Sequence, residues 1–337
     1  MEPRPIELLA PARDAAIAIE AIKHGADAVY MGGPSHGARS AATNSVDDIA
    51  RVADYAHRFN VRVYVTLNTL IYEDELRQVE AVVGQLYDAG VDALIVQDMA
   101  LLEMDIPPIQ LHASTQCDIR SAEKARFLQD VGFSQLVLPR ELSLEEIRQI
   151  RTVTDVPLEA FVHGALCVSY SGQCYVSQHC FGRSANRGEC AQFCRLKFDM
   201  VDSDGRMIEQ GRHLLSLKDM NRGEDLERLL DAGVTSLKIE GRLKDVAYVK
   251  NVTAWYRSRL DEIFKRRPEY RRASSGQVSL AFTPCLEKSF NRGFTRYFLD
   301  GRTPDIFSFH TPKSLGEEVG TVKEVRGKCI VVSGAKP

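Results

Sequence analysis

One local pattern recurs four times in this chain: a helical stretch ends in Gly and an apolar strand follows at once. The four copies are Gly25–Tyr30, Gly90–Ile95, Gly132–Val137 and Gly233–Lys238. Gly suits the position after a helix because it reaches positive φ without strain at Cβ. Strands that are nearly continuous in apolar residues are expected to be covered on both faces, as in a parallel sheet. The repeat therefore predicts alternating strands and helices.

Further strands are predicted over Ile6–Leu9, Val61–Leu67, Ile109–His112 and Leu158–Val162, which makes eight in all. Amphipathic stretches such as Asp74–Ala89 separate most of them. Eight strand–helix units predict an α/β fold, a (β/α)8 TIM-type barrel. A doubly wound open sheet is the alternative, although no Gly-x-Gly-x-x-Gly turn follows the first strand.

The repeat is interrupted between strands seven and eight. Residues 165–235 form a Cys-rich insertion there, and 245–265 read as a closing helix, so the barrel domain is predicted over residues 1–272. Residues 273–337 contain short β-like runs and a hairpin-like stretch from Val319 to Val332. Because a single hairpin is marginal by itself, we expect 273–337 to be the start of a small β-rich domain in a longer protein.

Composition excludes several classes of protein. Hydrophobic residues make up 44% of the chain, which is ample for a core, and no apolar run approaches the roughly 18 residues that a membrane helix requires. The first residues lack the apolar stretch of a signal peptide. We therefore predict a cytoplasmic protein with no membrane association.

Charge is distributed unevenly. Residues 1–239 contain 24 Lys and Arg against 35 Asp and Glu, whereas residues 240–337 contain 19 against 11. The densest basic segment holds Lys265, Arg266, Arg267, Arg271 and Arg272. Such a segment can neutralise nucleic-acid phosphates, or it can be the ordinary cationic end of a helix.

Five of the eight cysteines lie within 28 residues: Cys167, Cys174, Cys180, Cys190 and Cys194. In a cytoplasmic chain such clustering indicates metal binding more often than disulfides. Neither the paired knuckles of a zinc ribbon nor the cysteine run of a ferredoxin is present, so the spacing leaves an iron–sulfur cluster and zinc both open.

The segment from Glu159 to Cys167, followed by Gly172 to Ser177, resembles the signature of peptidase family U32. Similar pieces occur at 7–12, 25–30, 140–143 and 236–242. The resemblance implies either a peptidase or, as in better-defined relatives, O2-independent hydroxylation of a tRNA wobble uridine or an rRNA cytidine, in the tRNA case with prephenate. It also implies a 4Fe-4S cluster, whose ligands on this chain would be Cys167, Cys174, Cys190 and Cys194.

Function in such barrels gathers at the carboxyl ends of the strands. His163, Glu240 and Arg140 are predicted there as catalytic residues. Predicted substrate-binding residues are Arg39, Asn68, Gln116, Arg242 and Lys218. The arginines suit a dicarboxylate such as prephenate, because a guanidinium binds a carboxylate with two parallel hydrogen bonds. The alternative for each is a structural ion pair, Arg140 with Glu141 or Arg242 with Glu240.

Three functions remain at this point. RNA hydroxylation with an iron–sulfur cluster is preferred, with tRNA as the expected substrate ahead of rRNA, and the basic segment would then hold the RNA. A peptidase is second, because the sequence contains neither His-Glu-x-x-His nor Gly-x-Ser-x-Gly. The third is a non-catalytic protein with structural zinc, since four thiolates leave zinc no open position.

Overall fold

The computed structural model describes residues 2–37, 42–316 and 319–334. Its strands are β1 Arg4–Pro11, β2 Ala28–Gly32, β3 Arg62–Leu67, β4 Ala93–Val96, β5 Gln110–Ala113, β6 Gln135–Val137, β7 Leu158–Ala165, β8 Phe198–Val201, β9 Met207–Arg212, β10 Asp219–Asn221, β11 Val234–Ile239, β12 Tyr270–Arg272, β13 Phe294–Thr295, β14 Thr321–Arg326 and β15 Cys329–Ser333. Its helices are α1 Ala15–Lys23, α2 Val46–His57, α3 Leu76–Asp88, α4 Ala122–Asp130, α5 Leu144–Val153, α6 Val176–Phe181, α7 Leu226–Asp231 and α8 Val246–Arg266. Over these ranges no helix combines the length and the apolar character needed to cross a bilayer.

Eight parallel strands close into a cylinder. Strands β1 to β7 pair in chain order, and β11 completes the ring by pairing with both β7 and β1. At the closure, Leu9 of β1 is in register with Lys238 of β11 on one side and Ala28 of β2 on the other. The predicted (β/α)8 barrel is therefore confirmed, and its eight strands are the predicted ones with small shifts at their ends.

Side chains alternate between the two faces of the barrel wall, as strand geometry requires. Leu8, Val63 and Leu94 belong to the large apolar core between the barrel and its helices. Tyr30, Tyr64 and Phe161 belong to a second, smaller cluster. Helix starts follow local chemistry: Ser143, for example, caps α5 in a reciprocal pair with Glu146.

Asp27, from the first Gly-Ala-Asp repeat, joins the beginning and the end of the barrel. Its fully buried carboxylate accepts hydrogen bonds from the backbone of Leu8 at 2.9 Å, from Arg257 of α8 at 3.1 Å and from Arg272 of β12 at 2.8 Å. A Cβ at Gly25 would lie 2.4 Å from the Arg257 side chain, so Gly at this repeat position lets the arginine reach Asp27. β12 itself pairs with β1 outside the cylinder.

The insertion between β7 and β11 contains α6, the hairpin β8–β9, β10 and α7. β10 runs antiparallel to β7 and extends the sheet to β13. Leu286 and Leu299, from the segment predicted to begin a separate domain, are buried in the main core. Within the described residues only the exposed hairpin β14–β15 resembles the β-rich unit predicted over 273–337; residues 286–307 are packed on the barrel.

Candidate functional site

A small cavity of about 60 Å³ lies at the carboxyl ends of the barrel strands. Its lining comprises Tyr30, Thr66, Asn68, Ile95, Ser114, Thr115, Gln116, Arg140, Phe161, Lys238, Glu240 and Arg242. We call this cavity the mouth pocket. Five of the eight residues predicted as catalytic or substrate-binding line it, although they come from distant parts of the chain. Arg39 lies outside the described residues.

Two arginines of the mouth pocket are held in place by polar partners. Arg140 donates to Glu240 at 2.8 Å, and its guanidinium lies 3.6 Å from the ring centroid of Phe161. Arg242 is nearly buried and donates to Thr66 Oγ1 at 2.5 Å. The alternative that Arg140 pairs with its neighbour Glu141 is wrong, because Glu141 accepts hydrogen bonds from Ser171 instead.

Lys238 is a pocket residue that the sequence reasoning missed. Its ammonium donates to Glu159 at 2.6 Å and lies 4.3 Å from the ring centroid of Tyr30. Burial lowers the pKa of Lys238, and the Glu159 carboxylate acts in the opposite direction. The available signal was a lysine between Leu237 and Ile239 in a strand that the repeat predicts to be buried.

The pocket and its floor carry an excess of positive charge among the described residues. Three cations, Arg140, Lys238 and Arg242, face the two carboxylates of Glu159 and Glu240. Because these side chains are largely buried, their charges act in a lower dielectric than water and are correspondingly stronger. The arrangement favours an anionic group.

A buried polar network continues below the pocket into the barrel. Glu7 accepts hydrogen bonds from Tyr64 at 2.6 Å and from Ser236 at 2.7 Å. Glu159 accepts from Gln135 at 2.7 Å, beside its contact with Lys238. Burial raises the pKa of Glu7 to about 7, against the opposing effect of its hydrogen bonds. The barrel interior therefore holds a carboxyl group that takes up a proton close to neutral pH.

Stability should fall with rising pH because of Glu7. Its pKa is raised on folding, so the folded state binds the proton more tightly, and this advantage disappears as pH rises from about 4.5 to about 7. A pKa difference of this size changes the free energy of unfolding by about 3 kcal/mol. The free energy of unfolding, measured with urea at pH about 4.5 and at pH about 7, should fall less for Glu7→Gln than for the wild type. Equal losses would contradict the assignment.

Two predicted residues lie outside the mouth pocket. His163 is buried, and its ring packs against Tyr256 and Phe294 at centroid distances of 5.6 and 5.7 Å. Burial lowers the pKa of His163 to about 4, so the imidazole is neutral. Lys218 forms an ion pair with Asp305. Their predicted catalytic and substrate-binding roles stay predictions without support from this placement.

The Cys-rich segment is anchored to loops at the mouth. Arg187 donates to Glu75 at 2.6 Å, and the backbone of Ser171 donates to Glu141 at 2.9 Å. Gly172 approaches so closely that a Cβ there would lie 2.3 Å from the carbonyl oxygen of Gln116, a pocket residue. The segment therefore lies over the same end of the barrel as the mouth pocket.

Cys167, Cys174, Cys190 and Cys194, here called the cysteine quartet, lie near one another. Burial raises the pKa of the Cys194 thiol, and the other three thiols raise it further. The quartet also neighbours the pocket, because Arg140 acts electrostatically on the Cys167 thiol. In the described part of the chain no three His, Cys, Asp or Glu side chains converge tightly enough for one metal ion. The described thiols thus neighbour one another without forming a single-ion shell.

Replacing Gly172 by Ala should disturb this segment more than a matched change elsewhere in it. Gly172 has φ +74° and meets Gln116, whereas Gly182 has φ +65° and open space where a Cβ would lie, with no atom within 4 Å. Both variants carry the strain of a left-handed residue, about 1–2 kcal/mol. Only Gly172→Ala adds a steric clash, about 1–3 kcal/mol more. Urea unfolding of both variants measures the difference, and equal destabilisation would contradict the close approach.

The basic segment lies at the opposite end of the barrel from the pocket. Arg4, at the amino end of β1, is in register with Tyr270 of β12. Arg266 pairs with Glu227 at 2.7 Å, and Arg267 pairs with Asp231 at 2.8 Å. Arg272 is paired with the buried Asp27. The phosphate contacts assigned to Lys265, Arg266, Arg267, Arg271 and Arg272 stay a prediction, and the pairing of three of them weakens it.

Comparison with known proteins gives the family. The model of peptidase family U32 matches residues 13–307. The chain belongs to peptidase family U32. A U32 peptidase of known structure is 16% identical, with a TM-score of 0.45, and covers 72% of this chain and 94% of its own.

Several curated relatives of this U32 chain carry names that refer to RNA. This chain is 55% identical to the "23S rRNA 5-hydroxycytidine C2501 synthase" of Escherichia coli. The match covers 98% of this chain and 51% of the Escherichia coli protein. It is 33% identical to the "tRNA hydroxylation protein P1" of Bacillus subtilis, covering 94% of this chain and 76% of that one. A "Collagenase" of Porphyromonas gingivalis is also 33% identical, over 88% and 74% of the two chains. The chain thus spans about half the length of the first of these relatives.

Proposed function

We propose that this U32 chain carries the catalytic barrel of an enzyme that hydroxylates RNA without O2, with an rRNA cytidine as the preferred substrate and a tRNA uridine as the second. The observation that carries the proposal is the cysteine quartet beside a positively charged pocket at the barrel mouth. The 55% identity to an rRNA hydroxycytidine synthase supports the choice of cytidine. The proposal also requires the predicted cytoplasmic location, where ribosomal RNA is found.

The cofactor proposed for the quartet is a 4Fe-4S cluster, held by Cys167, Cys174, Cys190 and Cys194. Thiolates are the usual ligands of such clusters. Zinc with four thiolates needs sulfurs around one ion at about 2.3 Å, a tighter arrangement than the described thiols make. When bound, a cluster supplies one-electron transfer at the mouth of the barrel. Zinc is the alternative, and it would serve structure alone.

The pocket residues are proposed to hold the carboxylate of a small dicarboxylate such as prephenate. Arg140 and Arg242 present guanidinium groups, and Lys238 adds a third cation at the floor. The pocket is small, about 60 Å³, and its three cations are grouped at one end of the barrel, which suits a carboxylate. Glu240 orients Arg140 through their ion pair.

A peptidase is the second candidate, and one arrangement favours it. Ser35 Oγ lies 2.7 Å from Nδ1 of His36, whose Nε2 lies 3.6 Å from Glu75. However, Glu75 is already held by two hydrogen bonds from Arg187, and these lower its pKa to about 2. A carboxylate neutralised in this way orients a histidine poorly, so we rank hydrolysis below hydroxylation.

Deletion of the gene followed by mass spectrometry of ribosomal and transfer RNA nucleosides tests the proposal. We expect a hydroxylated pyrimidine to disappear and to return when the intact gene is restored. Restoring a Ser35→Ala gene should return the nucleoside equally well. Unchanged RNA nucleosides, together with protein cleavage that depends on Ser35, would replace the hydroxylase by the peptidase.

A further inference from the structure

The opposite placement of the basic segment and the mouth pocket raises the question of where RNA is held. We propose that single-stranded RNA binds in a groove at the rim of the mouth, beside the pocket, and this rests on the proposed function. The groove lies between the β1–α1 loop, the start of α8 and residues 282–290, and has a volume of about 670 Å³. We call it the rim groove.

Charge in the rim groove favours a polyanion. Its charged lining among the described residues is Arg13, Lys244 and Lys288 against Asp245. Asp245 is engaged in capping α8, where it accepts a hydrogen bond from the backbone of Tyr248 at 2.8 Å. Arg13 contacts Asp14 at 3.2 Å, but both side chains are largely exposed, and such pairs bind weakly. The groove therefore retains a positive excess for phosphates.

Aromatic rings lie next to these cations. Phe282 is 39% exposed, and it lines the groove. Phe290 lies beneath the Lys244 ammonium, 3.0 Å from its ring centroid. Proteins that bind single strands combine a cationic track with rings on which bases stack. Both components are present here in one groove.

The rim groove and the mouth pocket are lined by adjacent segments of the chain. Arg242 lines the pocket, and the next two residues, Leu243 and Lys244, line the groove. Tyr248 lines the groove and donates a hydrogen bond at 3.0 Å to the backbone carbonyl of Glu240, which is a pocket residue. A strand held in the groove would thus present a neighbouring nucleotide to the pocket.

A larger cavity is a poorer candidate for RNA. It measures about 790 Å³ and is lined by Trp255, which could stack a base. Its lining contains five acidic residues against three arginines, and this excess of negative charge repels phosphates. Charge therefore favours the rim groove over the more spacious cavity.

Binding of a fluorescein-labelled single-stranded RNA of about 12 nucleotides that contains cytidine, followed by anisotropy at several salt concentrations, tests the proposal. We expect the double variant Arg13→Glu/Lys288→Glu to bind the RNA about tenfold more weakly. A plot of the logarithm of its binding constant against the logarithm of the salt concentration should have a slope shallower by about 0.7 for each lost phosphate contact. Phe282→Ala should weaken binding by about fivefold or more. The charge-matched control Arg77→Glu/Lys124→Glu, on exposed faces of α3 and α4, should bind as the wild type does.

Other outcomes distinguish failure of the rim groove from failure of the proposed function. If Lys265→Glu/Arg271→Glu weakens binding and the rim-groove variants do not, RNA binds at the basic segment and the rim groove is wrong. Thermal unfolding of every variant excludes loss of folding as the cause. RNA nucleosides from cells carrying each variant are measured in parallel. If the wild type modifies RNA but the rim-groove variants bind RNA as tightly as the wild type does, the rim groove alone is wrong. If the wild type modifies no RNA, the proposed function is wrong.

Discussion

Cys174→Ser should remove the iron of the anaerobically purified protein and abolish RNA hydroxylation. A serine hydroxyl is a poor replacement for a thiolate, and one missing ligand opens the shell of a four-cysteine cluster. Cys174 is one of the thiols whose electrostatic effect reaches both Cys167 and Cys194, which places it within the quartet. Iron and sulfide analysis measures the first effect, and mass spectrometry of RNA nucleosides measures the second.

Cys180→Ser is the matched control for this prediction. Cys180 is exposed and lies in the same segment, but it is not among the thiols that act on Cys167 or Cys194. We expect it to keep iron and activity. A wild-type protein that is colourless and contains one zinc per chain would contradict the cluster and support structural zinc. Iron retained by Cys174→Ser would remove Cys174 from the ligand set.

Asp27→Asn should destabilise the fold by about 3–5 kcal/mol, the usual effect of breaking a buried ion pair by removing one charge. The Asp27 carboxylate is fully buried and contacts two arginines, Arg257 and Arg272. Asparagine keeps the shape but leaves Arg272 without its counter-charge, and it leaves the buried Arg257 with only the half-exposed Asp261 as a partner, at 2.8 Å. Urea unfolding at neutral pH measures the change in the free energy of unfolding.

Asp54→Asn provides the comparison. Asp54 pairs with Arg58 one turn away on α2, and both side chains are mostly exposed. Exposed pairs of this kind contribute about 0.3–0.5 kcal/mol. A change below about 1 kcal/mol for Asp27→Asn would mean that the buried carboxylate does not hold the barrel ends together.

The barrel could be predicted from the sequence because its signals are local. Each Gly after a helix and each apolar run is visible within about six residues, and the eight strands follow from them. The pocket residues were also predictable in part, because Asn68, Gln116 and Arg140 each follow a predicted strand. Their common location is a property of parallel strands.

Pairings between distant residues could not be predicted in this way. Arg140 pairs with Glu240, one hundred positions further on, rather than with the adjacent Glu141. Arg272 reads as a solvent-exposed cation until the fold brings it to Asp27. The sequence does not predict Lys238 as a pocket residue, because lysine is almost never fully buried unless it is paired, and its partner Glu159 lies on another strand.

The position of β1 has a consequence for how the protein is made. β1 leaves the ribosome before the other strands of the barrel, yet two of its partners, β11 and β12, are among the last parts of the barrel to be synthesised. Until then its edge and the carboxylate of Asp27 lack their final neighbours, and contacts of such long sequence separation form slowly. The barrel therefore stays an open, incomplete sheet until β11 and β12 are made, and this is the period in which chaperones would protect it.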